Sequence, residues 1–364
     1  MKHVAVNGDS RERFRDDPVT VSLSAGEVIP PSQMLPSKSV ARYRFIRSIG
    51  FGGMKTVLLV HDRETNRDVA MALMPDFRKR SSGDIARFCR EARVTAQLEH
   101  PNIVPVHDFG TDRSGSPFFI MKYLHGQPLS RFLKRVREGA APEAEEYNIN
   151  RLIQIFVRVC DAVHFAHSRH VLHLDIKPGN VYLGDYGEVQ LIDWGLSADL
   201  DPENPPRAEG GIRGTPGFMA PEQIVSGGAT LSIQTDIYAL GALLFHMLTL
   251  QSPLDGAGTK EVLQGTIRGA IPSPEEYTNP CFPVPAALAA VCIKAMAPNP
   301  ENRYRTALEM KKDVRAFQKG YATSAEDASA LRKTALFFNR NALVSFLVMI
   351  ILLLTAEILY LILR

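Results

Sequence analysis

Cysteine is scarce in this chain of 364 residues: Cys89, Cys160, Cys281 and Cys292, with no C-x-x-C spacing. That excludes a disulfide framework and a zinc ribbon. The four read as reduced thiols of a cytosolic domain. Charge of one sign is scarce too. A net charge of +3 gives little field for a polyanion, and no base-stacking or zinc motif is present, so no nucleic-acid partner is expected. There is no internal repeat and no low-complexity tract. Residues 1–40 lack the apolar core of a signal peptide. They carry Pro18, Pro30, Pro31 and Pro36, many charges and no helical periodicity, and are expected to form a flexible leader.

The length allows about two lobes with appendages, and an apolar content of 45% suits a globular body. Residues 41–125 alternate short apolar runs with turn signals such as Asp62-Arg63-Glu64-Thr65-Asn66. This predicts a twisted antiparallel sheet with one helix near Asp84–Glu99. Residues 126–320 read as mostly helical. Leu152, Ile155, Phe156, Val159 and Val163 recur at helical spacing, and Asp236–Leu250 is apolar enough to be a buried core helix. Residues 271–285 read as a loop, and a last helix is expected near Ala307–Phe317. The fold class is α+β.

Four motifs follow one another in a fixed order. Gly50-Phe51-Gly52-Gly53-Met54-Lys55-Thr56-Val57 comes first, then His173-Leu174-Asp175-Ile176-Lys177-Pro178-Gly179-Asn180, then Asp193-Trp194-Gly195, then Ala220-Pro221-Glu222. Over about Tyr43 to Gln318 the chain resembles the eukaryotic-like (Hanks-type) Ser/Thr protein kinases of bacteria. The resemblance implies a bilobal kinase fold, with one lobe over 41–125 and the other over 126–320. It also implies transfer of the ATP γ-phosphate to a protein hydroxyl with Mg²⁺. Asp193 and Asn180 would then be the oxygen ligands of Mg²⁺. Asp175 would accept the proton of the attacking hydroxyl, and Lys177 would neutralise charge on the transferred phosphate. Backbone amides around Gly50, Gly52 and Gly53 would close over the phosphates. Val57 and Ala70 would face the adenine, Met121 would stand before the hinge, and Tyr123 and Leu124 would offer backbone groups to the base. Tyr182 falls under the adenine, where its ring either stacks or packs in the core. Glu222 with Arg303, and Asp236, would be structural. Thr215 would contact Asp175 and Lys177, and the run from Gly214 to Glu222 resembles the segment that docks a protein substrate.

One departure bears on activity. The family carries a lysine in its third strand that contacts the phosphates and pairs with a helix glutamate. Here Val69-Ala70-Met71-Ala72-Leu73 puts Ala72 in its place, while the glutamate stands as Glu91. Taken alone, this implies a pseudokinase. The third glycine of the phosphate loop is Lys55, however, and residues two apart in a strand share a face. Lys55 should therefore face the cleft with Val57, and the methyl of Ala72 leaves room for its flexible stem. The pair of changes resembles the with-no-lysine kinases. Two rivals stand beside an active kinase: a pseudokinase serving as a nucleotide- or partner-binding membrane scaffold, and a small-molecule phosphotransferase.

Regulation also departs. Many kinases keep an Arg before the catalytic Asp to bind an activation-loop phosphate. Here that place is Leu174, and Ala198–Gly214 contains no Ser, Thr or Tyr. Activity is therefore expected without loop phosphorylation. Finally, Ala342–Leu363 holds one charge, Glu357. As a helix it would measure about 33 Å against a bilayer core of about 30 Å. A single-pass transmembrane helix is expected there, after a juxtamembrane linker over 321–341. Arg332, Lys333 and Arg340 before it and only Arg364 after it put the kinase domain in the cytoplasm. Glu357 would reach the interface, be protonated, or pair with a partner helix.

Overall fold

The computed structural model describes residues 42–51, 54–111, 115–140, 143–201, 203–208, 213–225, 228–256 and 258–364. The leader expected over 1–40, and Gly52 and Gly53, lie outside the described residues.

The first lobe is a five-stranded antiparallel sheet with one helix. Its strands are β1 (Tyr43–Phe51), β2 (Thr56–Asp62), β3 (Arg67–Leu73), β4 (Val106–Thr111) and β5 (Pro117–Lys122), in the order β1-β2-β3-β5-β4. The β2–β3 turn closes on Asp62, whose buried carboxylate takes a forked pair from Arg42 at 3.0 and 2.8 Å and a bond from the Thr65 hydroxyl at 2.8 Å. Strand alternation sorts the two faces. Leu58, Val60, Val69, Met71 and Leu73 pack together on one side. Ala72 and Phe119 pack on the other with Phe88 and Ala92 of the helix α1 (Ser82–Gln97). That helix begins two residues before the expected Asp84. Ser81 caps it, its hydroxyl accepting the Asp84 amide at 3.1 Å.

The second lobe is mainly helical. After β6 (Gly126–Pro128) come α2 (Leu129–Arg137), α3 (Glu143–Glu146) and α4 (Ile149–Ser168), the last capped by Asn148. Short strands follow: β7 (Val171–Leu172), β8 (Val181–Gly184), β9 (Val189–Leu191) and β10 (Ala198–Asp199). They pair as β6-β8-β9 and β10-β7. Then come α5 (Pro221–Ile224), α6 (Ile233–Thr249), α7 (Thr259–Arg268), α8 (Ala286–Ala295) and α9 (Ala307–Gln318). One core gathers α4, α6, α8 and α9. Val159, Ile237, Leu240, Leu243, Leu288 and Met310 are all fully buried in it. Gly241 lets α6 and α8 cross closely, since a Cβ there would sit 2.8 Å from both Ala295 Cβ and Met296 Cγ. The lobes meet where Leu191 donates to the Asn102 carbonyl at 2.8 Å, pinning the α1–β4 connection onto β9.

Beyond α9, the segment expected as a linker contains a helix, α10 (Ala330–Arg340), and the chain turns at Asn341 into α11 (Ala342–Leu363). Serine explains the start of α10: the Ser329 hydroxyl accepts the Arg332 amide at 3.3 Å. The corner is held by Ser345, whose hydroxyl donates to the Phe338 carbonyl at 2.6 Å. Along α11, Leu347, Leu353, Ile358 and Leu361 are exposed. Among the described residues, no single helix is long and apolar enough to cross a membrane. Ala330–Arg340 and Ser345–Leu361 meet that requirement only together, and that pair is bent by 104°. The helix expected over 342–363 has those bounds in α11, and the bend falls before it, at the junction with α10.

Candidate active site

The loop over 173–180 is built around a buried carboxylate. Asp236, at the start of α6 and wholly buried, accepts the backbone amides of His173 at 2.9 Å and Leu174 at 2.8 Å. His167 Nε2 lies 2.8 Å from the same carboxylate. Burial would raise this carboxyl, but the bonds from His167 and the His173 amide outweigh it and hold it below its usual range. The grip lets Leu174 adopt a left-handed backbone with φ 64°, which a non-glycine residue keeps only when its surroundings insist. His173, its pKa lowered by burial, donates from Nε2 to the Ile192 carbonyl at 3.2 Å and accepts the Asp175 amide at Nδ1, also at 3.2 Å.

That scaffold presents Asp175. Lys177 Nζ lies 2.7 Å from Asp175 Oδ2, and Thr215 donates to Oδ1 at 3.0 Å. Lys177 also reaches the Thr215 hydroxyl at 2.7 Å. Asn180 Nδ2 donates to the Asp175 carbonyl at 2.8 Å and carboxylate at 3.0 Å. Its amide oxygen is thereby left as an acceptor. Among the described residues no group of three His, Cys, Asp or Glu side chains is placed to hold a metal. The donors at hand are the Asp193 carboxylate and the Asn180 amide oxygen. This hard-oxygen pair suits Mg²⁺ that arrives with phosphates and water, rather than a closed protein cage.

Lys55 lies just before β2, where Val57 pairs with Ala72 of β3. Its ammonium forms an ion pair with Glu91 of α1 and lies 2.8 Å from Asp193 Oδ1. Burial would lower its pKa, but the two carboxylates more than offset that and push it up to about 12. Glu91 is pushed up by its own burial, so its ionised form depends on the lysine. Asp193 is held below its usual range, the Lys55 charge outweighing burial. Gly195 makes the approach possible: a Cβ there would meet Glu91 Oε2 at 3.3 Å and Asp193 Oδ1 at 3.4 Å. Ala72 is fully buried against Phe88 and Ala92. Five sequence-selected residues (Lys55, Glu91, Asp193, Asp175 and Lys177) thus form two linked charge clusters at the junction of the lobes.

Of the remaining candidates, Tyr123, Leu124 and Tyr182 line one pocket together. Ala70 is buried, and Val57, Met121, Tyr123, Leu124 and Tyr182 are half-buried. The Tyr182 hydroxyl donates to the Gly126 carbonyl at 2.8 Å, tying β8 to the chain just past the hinge. Gly50 opposes Val57 in the β1–β2 ladder. The Tyr123 hydroxyl accepts from Arg47 of β1 at 3.0 Å, a clasp between sheet and hinge that the motifs did not signal. A cavity of about 480 Å³ is lined by Leu98, His100, Val106, Lys122 and Gln190, none of them in the charge clusters. Below the site, Arg303 forks onto Glu222 at 2.7 and 3.0 Å, and Thr235 donates to the same carboxylate at 2.9 Å. Sequence reasoning missed His167, whose only signal was its place six residues before the catalytic loop.

Comparison with known proteins bears on this geometry. The chain is 36% identical over 298 residues to the serine/threonine-protein kinase PknD of Chlamydia pneumoniae, covering 77% of this chain and 31% of that one. It is 35% identical over 306 residues to the protein of that name from Chlamydia trachomatis serovar D, covering 77% and 32%. The chain therefore spans under a third of the length of these curated relatives. A match to the protein kinase domain runs over residues 43–313, so the chain belongs to the protein kinase family.

Proposed function

We propose that this chain is a membrane-anchored Ser/Thr protein kinase that transfers the γ-phosphate of ATP to a protein hydroxyl, with Lys55 replacing the lysine lost at Ala72. The observation that carries the reading is the Lys55 ammonium seated between Glu91 and Asp193. A site free to decay has no physical reason to keep an ammonium poised between two carboxylates.

Phosphoryl transfer asks the protein mainly for position and charge. Lys55, steadied by Glu91, would hold the phosphates as a point charge. Asp175 would orient the substrate hydroxyl and take its proton, and Lys177 would balance charge on the moving phosphate. Thr215 fixes the spacing of that pair. Asp193 and Asn180 would hold Mg²⁺, which when bound neutralises phosphate charge. The relatives' names and Lys177 with Thr215 favour Ser/Thr acceptors on protein. The anchor would be α11, whose exposed leucines and isoleucines form a surface ill suited to water. Arg332, Lys333 and Arg340 precede it, and that bias of positive charge favours a cytoplasmic kinase domain.

The experiment is incubation of the purified full-length chain with labelled ATP, Mg²⁺ and a generic protein substrate, followed by analysis of the labelled amino acids. Label on Ser and Thr, lost in Asp175→Asn, is the expected result. Neither transfer nor a rise in melting temperature with Mg-ATP would leave the scaffold reading in its place.

A further inference from the structure

Arg90 precedes Glu91 on α1, so the two side chains leave the helix about 100° apart. Glu91 turns into the cleft. Arg90 reaches the start of the segment that follows Asp193. Its Nη2 lies 2.8 Å from Asp199 Oδ2, and its Nε donates to the Ser197 carbonyl at 3.4 Å. The Ser197 amide in turn donates to the Trp194 carbonyl at 3.1 Å. Asp199 belongs to β10, paired with β7, and the next amide, of Leu200, donates to the His170 carbonyl at 2.7 Å. Beneath this ladder Leu174 is 9% exposed in an apolar cluster with Leu172 and Leu231, against which Leu196, Ala198 and Leu200 pack. One carboxylate, one ladder and one apolar cluster therefore fasten the segment, and none of them uses a phosphate.

The geometry points to Arg90 and Asp199 as a positioning pair, a clamp that ties α1 to the activation segment and so keeps Glu91 and Lys55 in register for transfer. Asp199 supplies from the chain itself the negative charge that a loop phosphate would otherwise bring, and Leu174 replaces the cation that would receive such a phosphate. This rests on the reading of the Lys55 cluster as a working kinase site. Both side chains are well exposed, at 39% and 62%, so the clamp biases the segment rather than locking it.

The test uses the full-length chain in detergent with Arg90→Glu, Asp199→Arg, the double exchange and Asp199→Glu. Two readings are taken: the rate of phosphate transfer, and the emission of Trp194, the one tryptophan in the chain and buried beside His173 at 4.6 Å. Each single reversal should lower the rate about two- to fivefold, the range of an exposed ion pair, and shift the emission. The double exchange and Asp199→Glu should restore both. Phosphatase treatment of wild type should leave its rate unchanged. Single reversals that alter neither reading, or a double exchange no better than the worse single, would overturn the clamp. So would a phosphatase-induced loss of activity that tracks a phosphate within 193–222. If wild type transfers no phosphate, the kinase reading fails separately. Emission then decides alone: a shift in the singles with recovery in the double supports the clamp, and its absence refutes it.

Discussion

Lys55 stands two residues before Val57, which the β2–β3 register sets opposite Ala72. Strand alternation made its direction legible, since residues two apart share a face and the lysine meets Glu91 of α1. What no spacing rule could give was the partner count, since Lys55 meets Asp193 as well as Glu91. Asp236 teaches the same lesson. Its motif marked it as an anchor, while His167 beside it was hidden as one more polar residue on α4. Asp236→Asn tests the anchor. The folded carboxyl lies below the ordinary 3.8, so its ionised form stabilises the fold fully above that value, and the contribution fades as pH falls through the lower folded pKa. The variant should lose about 2 kcal/mol at pH 7, because an amide cannot accept from every donor aimed at it. Its melting curve should also lack part of the acid-side decline of wild type. Thermal melts from pH 7 to pH 3 that superimpose for the two proteins would contradict this.

Among the elements, the helices of the core were the easiest to anticipate, because α4 and α6 carry unbroken apolar patterns that packing then buries. Their ends moved by a few residues where a cap decides, as Ser81 does for α1. The Arg90–Asp199 tie was illegible: two exposed charges 109 residues apart leave no pattern until β10 pairs with β7. The helix α10 was also missed, its mixed composition reading as a linker although Ser329 caps it. Its angle to α11 matters for the anchor. An amphipathic helix bent by 104° from an apolar one can lie among headgroups while the other enters the bilayer. Membranes carrying the full-length chain should retain it through carbonate washing, whereas a chain ending at Thr334 should be released. Release of the full-length chain would refute the anchor.

For the whole molecule, the two lobes act as one device only if charge bridges them. Lys55 comes from the sheet, Glu91 from α1, and Asp193 from the segment that β9 leads into. The fold supplies the positions, the Glu222–Arg303 pair fastens the far end of the segment, and Leu174 with its apolar neighbours holds the middle. The central claim is that the bridge does the work of the absent lysine. Its most direct measurement is the rate of labelled-phosphate transfer by full-length Lys55→Ala beside wild type, at saturating Mg-ATP. The variant should fold, with a melting temperature near that of wild type, and transfer on the order of 10²-fold more slowly, since the lost charge acts on the transition state. A Lys55→Ala protein that transfers phosphate as fast as an active wild type would contradict the account.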